Sequence, residues 1–148
     1  MRLTTKGRYA VTAVLDLALH QDKGPVSLAS ISERQCISLS YLEQLFSKLR
    51  RNNIVNSTRG PGGGYTLKNS TDDVSISDII LAVDESCKVV DCNDAEGCQD
   101  TYQCLTHDLW QELSNEIRSF LDGITLSEIM SQDAVHDVKV RQDEASAI

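Results

Sequence analysis

Residues 38–51 read Ser38-Leu39-Ser40-Tyr41-Leu42-Glu43-Gln44-Leu45-Phe46-Ser47-Lys48-Leu49-Arg50-Arg51. Leu42, Leu45, Phe46 and Leu49 recur at helical spacing, so one face of a helix from about Leu39 to Asn52 is apolar. Ser40 with Glu43 fits a capping box, and Ser38 is a competing cap. The other face opens on Ser38, Ser40, Tyr41, Glu43 and Gln44 and ends on Lys48, Arg50 and Arg51. Working back from it, Cys36-Ile37-Ser38 is a tight break, and Leu28 to about Gln35 reads as a short helix capped by Ser27. Two helices about three residues apart are helix-turn-helix spacing, with the second entering the DNA major groove. Serine and glutamine pair with several base edges, and glutamate accepts from cytosine N4. Glu43 is repelled by phosphates, so it is expected to set sequence choice rather than add affinity.

Forward of that helix, residues 54–58 and 65–67 read as short strands joined by Arg59-Gly60-Pro61-Gly62-Gly63-Gly64. The glycines permit positive φ and close backbone approach. The joint therefore reads as a wing, with Arg59 placed for a minor groove and Gly60, Gly62 and Gly63 exposing backbone N–H groups to phosphates. A nucleotide-enzyme phosphate loop would need Lys-Ser/Thr and a helix after the glycines, whereas Tyr65-Thr66-Leu67-Lys68 reads as a strand. No enzyme is expected. The resulting fold class is mostly α with a small β-hairpin wing.

The remaining elements are a helix from Thr5 to about Asp22, a capped helix from Ile76 to about Val83, and a long helix from Leu105 to Asp122. In the long helix Leu105, Leu109, Leu113, Ile117 and Leu121 step by four beside Trp110 and Phe120. Thr125 and Glu128 suggest a capped final turn, and residues 132–148 read as a mobile polar tail. The organisation is a winged helix-turn-helix over 1–84, a loop over 85–104, a long helix with its final turn over 105–131, and the tail. No apolar run approaches the ~18 residues of a membrane span, and the start lacks a signal peptide's apolar core. The expected location is the cytoplasm, with cysteines reduced or ligating.

Charge is sorted along the chain. Residues 1–68 hold ten Lys/Arg and four Asp/Glu, a balance of +6, while residues 69–148 hold four and eighteen, a balance of −14. The front half can approach a polyanion and the back half is repelled from it.

The 85–104 loop carries Cys92, Cys98 and Cys104, followed by His107. Three thiols and an imidazole within sixteen residues suit a soft metal site. Zinc accepts such a donor set, although structural zinc knuckles are usually tighter than these five-residue gaps. An iron–sulfur cluster tolerates wider spans. Reduced, unligated thiols are the plain alternative. Cys36 reads as a small buried hydrophobe, and Cys87, His20 and His136 receive no role.

Lys6-Gly7-Arg8-Tyr9-Ala10, Ile37 to Leu45, Arg59 to Tyr65, Ala82-Val83-Asp84-Glu85-Ser86 and the Cys92, Cys98, Cys104, His107 set closely resemble the IscR family of bacterial iron–sulfur cluster regulators. The resemblance covers roughly residues 1–130. It implies a homodimer with one [2Fe–2S] cluster per subunit, held by Cys92, Cys98, Cys104 and His107. It also implies repression of the cluster-assembly operon, regulation of further promoters, and dimerisation through the helix after Leu105. Two-fold symmetry then calls for a near-palindromic duplex operator. Cys87 is additional to the family's set, and the tail carries no family motif.

Overall fold

The computed structural model describes residues 4–83, 85 and 103–147. Its helices are α1 (Thr5–His20), α2 (Leu28–Gln35), α3 (Leu39–Arg51), α4 (Ile76–Ala82), α5 (His107–Asp122), α6 (Leu126–Met130) and α7 (Asp133–Ser146). The strands β1 (Val55–Thr58) and β2 (Gly64–Leu67) lie between α3 and α4. They pair antiparallel with Val55 opposite Leu67 and Thr58 opposite Gly64. The fold is mostly helical with one hairpin, as the sequence implies. None of the described helices is long and apolar enough to cross a membrane.

Local chemistry explains the boundaries. Ser27 caps α2, its Oγ accepting from the Ser30 N–H at 3.2 Å. Ser38 caps α3 by accepting from the Tyr41 N–H at 3.3 Å. Ser40 therefore does not start the helix: Ser38 holds the extended backbone a cap requires, and Ser40 already lies within α3. Ser75 and Asp78 close a reciprocal capping box on α4. α5 begins at His107 rather than Leu105, because the His107 N–H first closes a turn on the Cys104 carbonyl at 3.1 Å.

One apolar core unites α1, α3, α4, the hairpin and α6. Ala13, Val14, Leu17, Leu42, Phe46, Leu49, Ile79 and Leu126 are all at 0 % exposure. Phe46 also meets the Tyr65 ring edge-on at 4.9 Å, which seats the hairpin against α3. Gly64 is required by contact: Val26 and Tyr65 exchange backbone hydrogen bonds of 2.9 and 2.8 Å, and a Cβ on Gly64 would overlap the Val26 carbonyl. The close approach foreseen for the wing glycines is thus made at its base.

Residues 133–146 are helical, which corrects the expectation of a mobile tail. The contacts that decide this are tertiary and too sparse to form an apolar stripe in sequence. Gln142 exchanges hydrogen bonds with Gln35 at 2.9 and 3.3 Å, and Asp143 meets His20 at 2.7 Å and Lys139 at 2.8 Å. Ala134, Val135 and Val138 border a cavity of about 380 Å³ shared with Val11, Leu15 and Ile129.

Two outcomes follow from this packing. Phe46→Ala should cost about 3–5 kcal/mol in chemical denaturation, since no neighbour can fill a space walled on all sides. The second concerns α7. The hydrogen bond from Lys139, aided by His20, lowers the Asp143 pKa from 3.8 to about 2. The Lys139 bond lies within α7, so only the His20 share of this lowering supports docking; it is present above about 4 and is lost as pH falls towards about 2. Asp143→Asn should therefore loosen α7 at neutral pH and abolish this acid sensitivity. Because the pair is solvent-screened, its amide hydrogen exchange should quicken at most about five-fold.

Candidate nucleic-acid interface and the Cys104–His107 turn

The apolar stripe of α3 faces inward, so the opposite face is left to solvent. Ser38, Ser40, Glu43 and Gln44 are exposed there, and Tyr41 is half-buried. The Tyr41 ring is held edge-on by Tyr9 of α1, with centroids 5.9 Å apart and planes at 80°. Ser38, Ser40, Tyr41 and Gln44 line a single open cleft of about 510 Å³ together with Thr5, Tyr9, Cys36 and Ile37. The structure thus gathers four of the polar residues expected on the recognition helix.

Cys36 departs from expectation. It is exposed and left-handed at φ 56°, ending α2 in the conformation that usually calls for glycine. The turn between α2 and α3 forces Cys36 out of the core and leaves Ile37, at 3 % exposure, to fill it.

At the far end of α3, Arg50 and Arg51 are exposed and Lys48 is half-buried. The Arg50 guanidinium donates to Ser57 Oγ at 3.2 Å, linking the end of α3 to β1. Asn52 Nδ2 donates to the carbonyls of Lys48 at 2.9 Å and Ala82 at 3.0 Å, fixing the same end to α4. The hairpin then projects Arg59 and Gly60 into solvent. Gly60 and Gly62 have φ of 98° and 73°, and the Gly63 N–H closes the tip on the Gly60 carbonyl at 2.9 Å. Helix face and hairpin tip are therefore carried by one braced unit.

The electrostatics sharpen this arrangement. Asp16, on α1, is 1 % exposed. Its carboxylate accepts from Arg34 Nε and Nη2 at 2.9 and 2.7 Å and from Gln35 Nε2 at 2.8 Å. Hydrogen bonding to Asp16 in turn raises the Arg34 pKa above its ordinary value. One of the four acidic residues of the front half is thus neutralised inside the protein. Glu43 is the one carboxylate borne by α3 itself.

On the opposite side of the chain order, Cys104 is half-buried and carries a free thiol, and His107 is buried at 6 % exposure. They stand at the two ends of the turn that starts α5. Cys92 and Cys98, like Cys87, lie outside the described residues. Among the described residues no group of three or more His, Cys, Asp or Glu is close enough to hold a metal ion. The donors in view, one thiol and one imidazole three residues apart, suit a soft metal or an iron–sulfur cluster. Leu105, in the turn, is at 104 % exposure, and α5 beyond it leaves Leu109, Leu113 and Phe120 at 54, 40 and 68 %, while Leu121 packs on the core.

Comparison with known proteins places these features together. The sequence model of the Rrf2 family, described as an iron-dependent transcriptional regulator, matches residues 3–132. The HTH-type transcriptional regulator IscR of Pectobacterium carotovorum is 59 % identical over 143 residues, 97 % of this chain and 87 % of the relative. That of Aliivibrio salmonicida is 57 % identical over 148 residues, 100 % of this chain and 88 % of the relative. Among solved structures, T. potens IscR superposes with a TM-score of 0.74 at 38 % identity, covering 90 % of each chain. The global cysteine regulator CymR of B. subtilis gives 0.75 at 34 % identity, covering 88 % of this chain and 97 % of that one.

Proposed function

The chain belongs to the Rrf2 family of iron-dependent transcriptional regulators, a DNA-binding family and not an enzyme family, and from that premise we propose a cytoplasmic homodimer that reads near-palindromic DNA and senses iron–sulfur status through a [2Fe–2S] cluster. In this reading it represses the cluster-assembly operon and regulates other promoters. The observation that carries the proposal is the polar face of α3, bared by burial of the opposite face and braced to the wing through Arg50 and Ser57.

On DNA, the start of α3 enters the major groove with Ser38, Ser40, Tyr41 and Gln44 towards base edges. Glu43 accepts from a cytosine amino group and is repelled by wrong placements near phosphate. Lys48, Arg50 and Arg51 hold phosphates, Arg59 enters the minor groove, and Gly60, Gly62 and Gly63 let backbone N–H groups come close to the strand. The exposed leucines and Phe120 of α5 are covered by a second copy, since an apolar row of this extent is costly in water. Pairing about that helix sets two recognition helices about one DNA turn apart.

Cys92, Cys98, Cys104 and His107 of each subunit hold the cluster. The donor chemistry fits: thiolates match iron, and one imidazole in their place makes a less tightly held group than four thiolates would. When bound, the cluster supplies a redox- and supply-sensitive occupant of the site. His107, buried at the head of α5, connects that occupancy to the helix on which the dimer is built. Ordering around the site then favours one DNA-binding geometry over another.

Anaerobically isolated protein should be brown, with visible charge-transfer absorption and about two iron and two sulfide per chain. Cys104→Ser should lose most of both. A colourless protein carrying zinc would replace the cluster with a structural metal. On DNA, Arg59→Ala should cost about 1–3 kcal/mol at sites with a narrow minor groove. Glu43→Ala should widen the range of bound sequences with little loss on the best one, as read by competition binding.

A further inference from the structure

We propose that Thr5 and Tyr9, at the beginning of α1, are further DNA-binding residues that hold a backbone phosphate beside the groove read by α3. The proposal rests on the DNA-binding reading above and extends it to a helix outside the helix-turn-helix and the wing.

Thr5 and Tyr9 are four residues apart, so they share one face of α1. That face does not point away from the recognition helix. Both residues line the same cleft of about 510 Å³ as Ser38, Ser40, Tyr41 and Gln44. A duplex seated on those four residues would have Thr5 and Tyr9 on the facing wall of the same cleft, within reach of its sugar–phosphate edge. The lining contains no acidic side chain, and apart from Cys36 and Ile37 every member carries a hydroxyl or an amide. Hydroxyl and amide donors are the neutral groups that proteins use on phosphate oxygens. The cleft is open, which suits the edge of a large polyanion better than an enclosed small ligand.

Tyr9 is also held in place before any partner arrives. Its ring packs edge-on against Tyr41, at 5.9 Å between centroids, while 37 % of the residue remains exposed. Tyr41 is in turn fixed by the Ser38 cap on its own backbone N–H. A contact from α1 to one strand would thereby be tied to the orientation of the α3 start. Arg8, the exposed neighbour of Tyr9 in sequence, adds positive charge to the same end of α1. A contact to phosphate carries no base information, so it should add affinity equally on all duplexes.

The test begins by selecting a duplex from a random-sequence library with the wild-type dimer. Phosphate-ethylation interference is then mapped for wild type, Tyr9→Phe and the Thr5→Ala/Tyr9→Phe double variant. Tyr9→Phe keeps the ring against Tyr41, and an unchanged thermal melt confirms the fold. The expected result is an affinity loss of about three- to thirty-fold, equal on strong and weak duplexes, with one phosphate per half-site no longer sensitive to ethylation. Wild-type affinity and an unchanged interference map in both variants would overturn the proposal. A changed base preference would overturn it too, because Tyr9 would then be reading sequence. If wild type selects no duplex at all, the DNA-binding reading itself fails and takes this contact with it.

Discussion

A carboxylate at 1 % exposure is a demanding thing to place inside a small helical domain, and Asp16 is placed there at the crossing of α1 and α2. Desolvation makes such a group unfavourable unless every lone pair finds a donor. Arg34 meets it with two hydrogen bonds and Gln35 with a third, and both residues sit in the last turn of α2. Replacing the whole set by apolar side chains could leave stability much as it is. What it would lose is direction. The carboxylate accepts from the end of α2, where the chain turns through Cys36 into α3. An apolar contact would permit α2 to slide or rotate, whereas a forked guanidinium pair admits one geometry. The polar start of α3 is therefore aimed by a constraint two helices away.

That aim would be of little use if α3 could roll about its own axis. Rolling is opposed by Leu42, Leu45, Phe46 and Leu49, all at 0 or 1 % exposure. The hairpin is locked to the same frame twice, once by Phe46 against Tyr65 and once by Arg50 against Ser57. One contact is apolar and internal and the other polar and external, so neither substitutes for the other. Val26 adds a third tether by pairing with Tyr65 across a position where only a glycine neighbour fits.

Much of this was legible in the sequence because it is periodic or local. The α3 stripe, the Ser27 and Ser75 caps, the two short strands and the wing glycines are all read within windows of a few residues, and the structure has them. The features that were not legible depend on partners far away in the chain. Asp16 and Arg34 are eighteen residues apart, and Gln35 and Gln142 are 107 apart. No pattern within α7 announces a helix, because its polar residues match single groups on α1 and α2 rather than a continuous apolar face. Cys36 departs from its expected burial for a related reason. Cysteine is usually buried, but here the left-handed turn required between two helices fixes its place regardless of its own preference. Thr5 and Tyr9 read only as part of a helix in sequence, because their neighbours in space, Ser40 and Gln44, belong to another helix.

The sorted charge along the chain takes on a physical form once these contacts are seen. Asp16 and Arg34 are withdrawn from the surface of the basic front half as a pair, so its positive balance is kept while the buried carboxylate faces no phosphate. The acidic back half does not simply trail behind. Through Gln142 and Asp143, α7 is hydrogen-bonded to Gln35 and His20, residues adjacent to the Asp16 set on α2 and α1. Gln35 donates to Asp16 and to Gln142 with the same amide, so the two contacts share one side-chain orientation. α7 therefore touches the same amide that helps to hold the group orienting α2. The acidic end of the chain is thus packed, through single polar contacts, against the helix pair that presents α3.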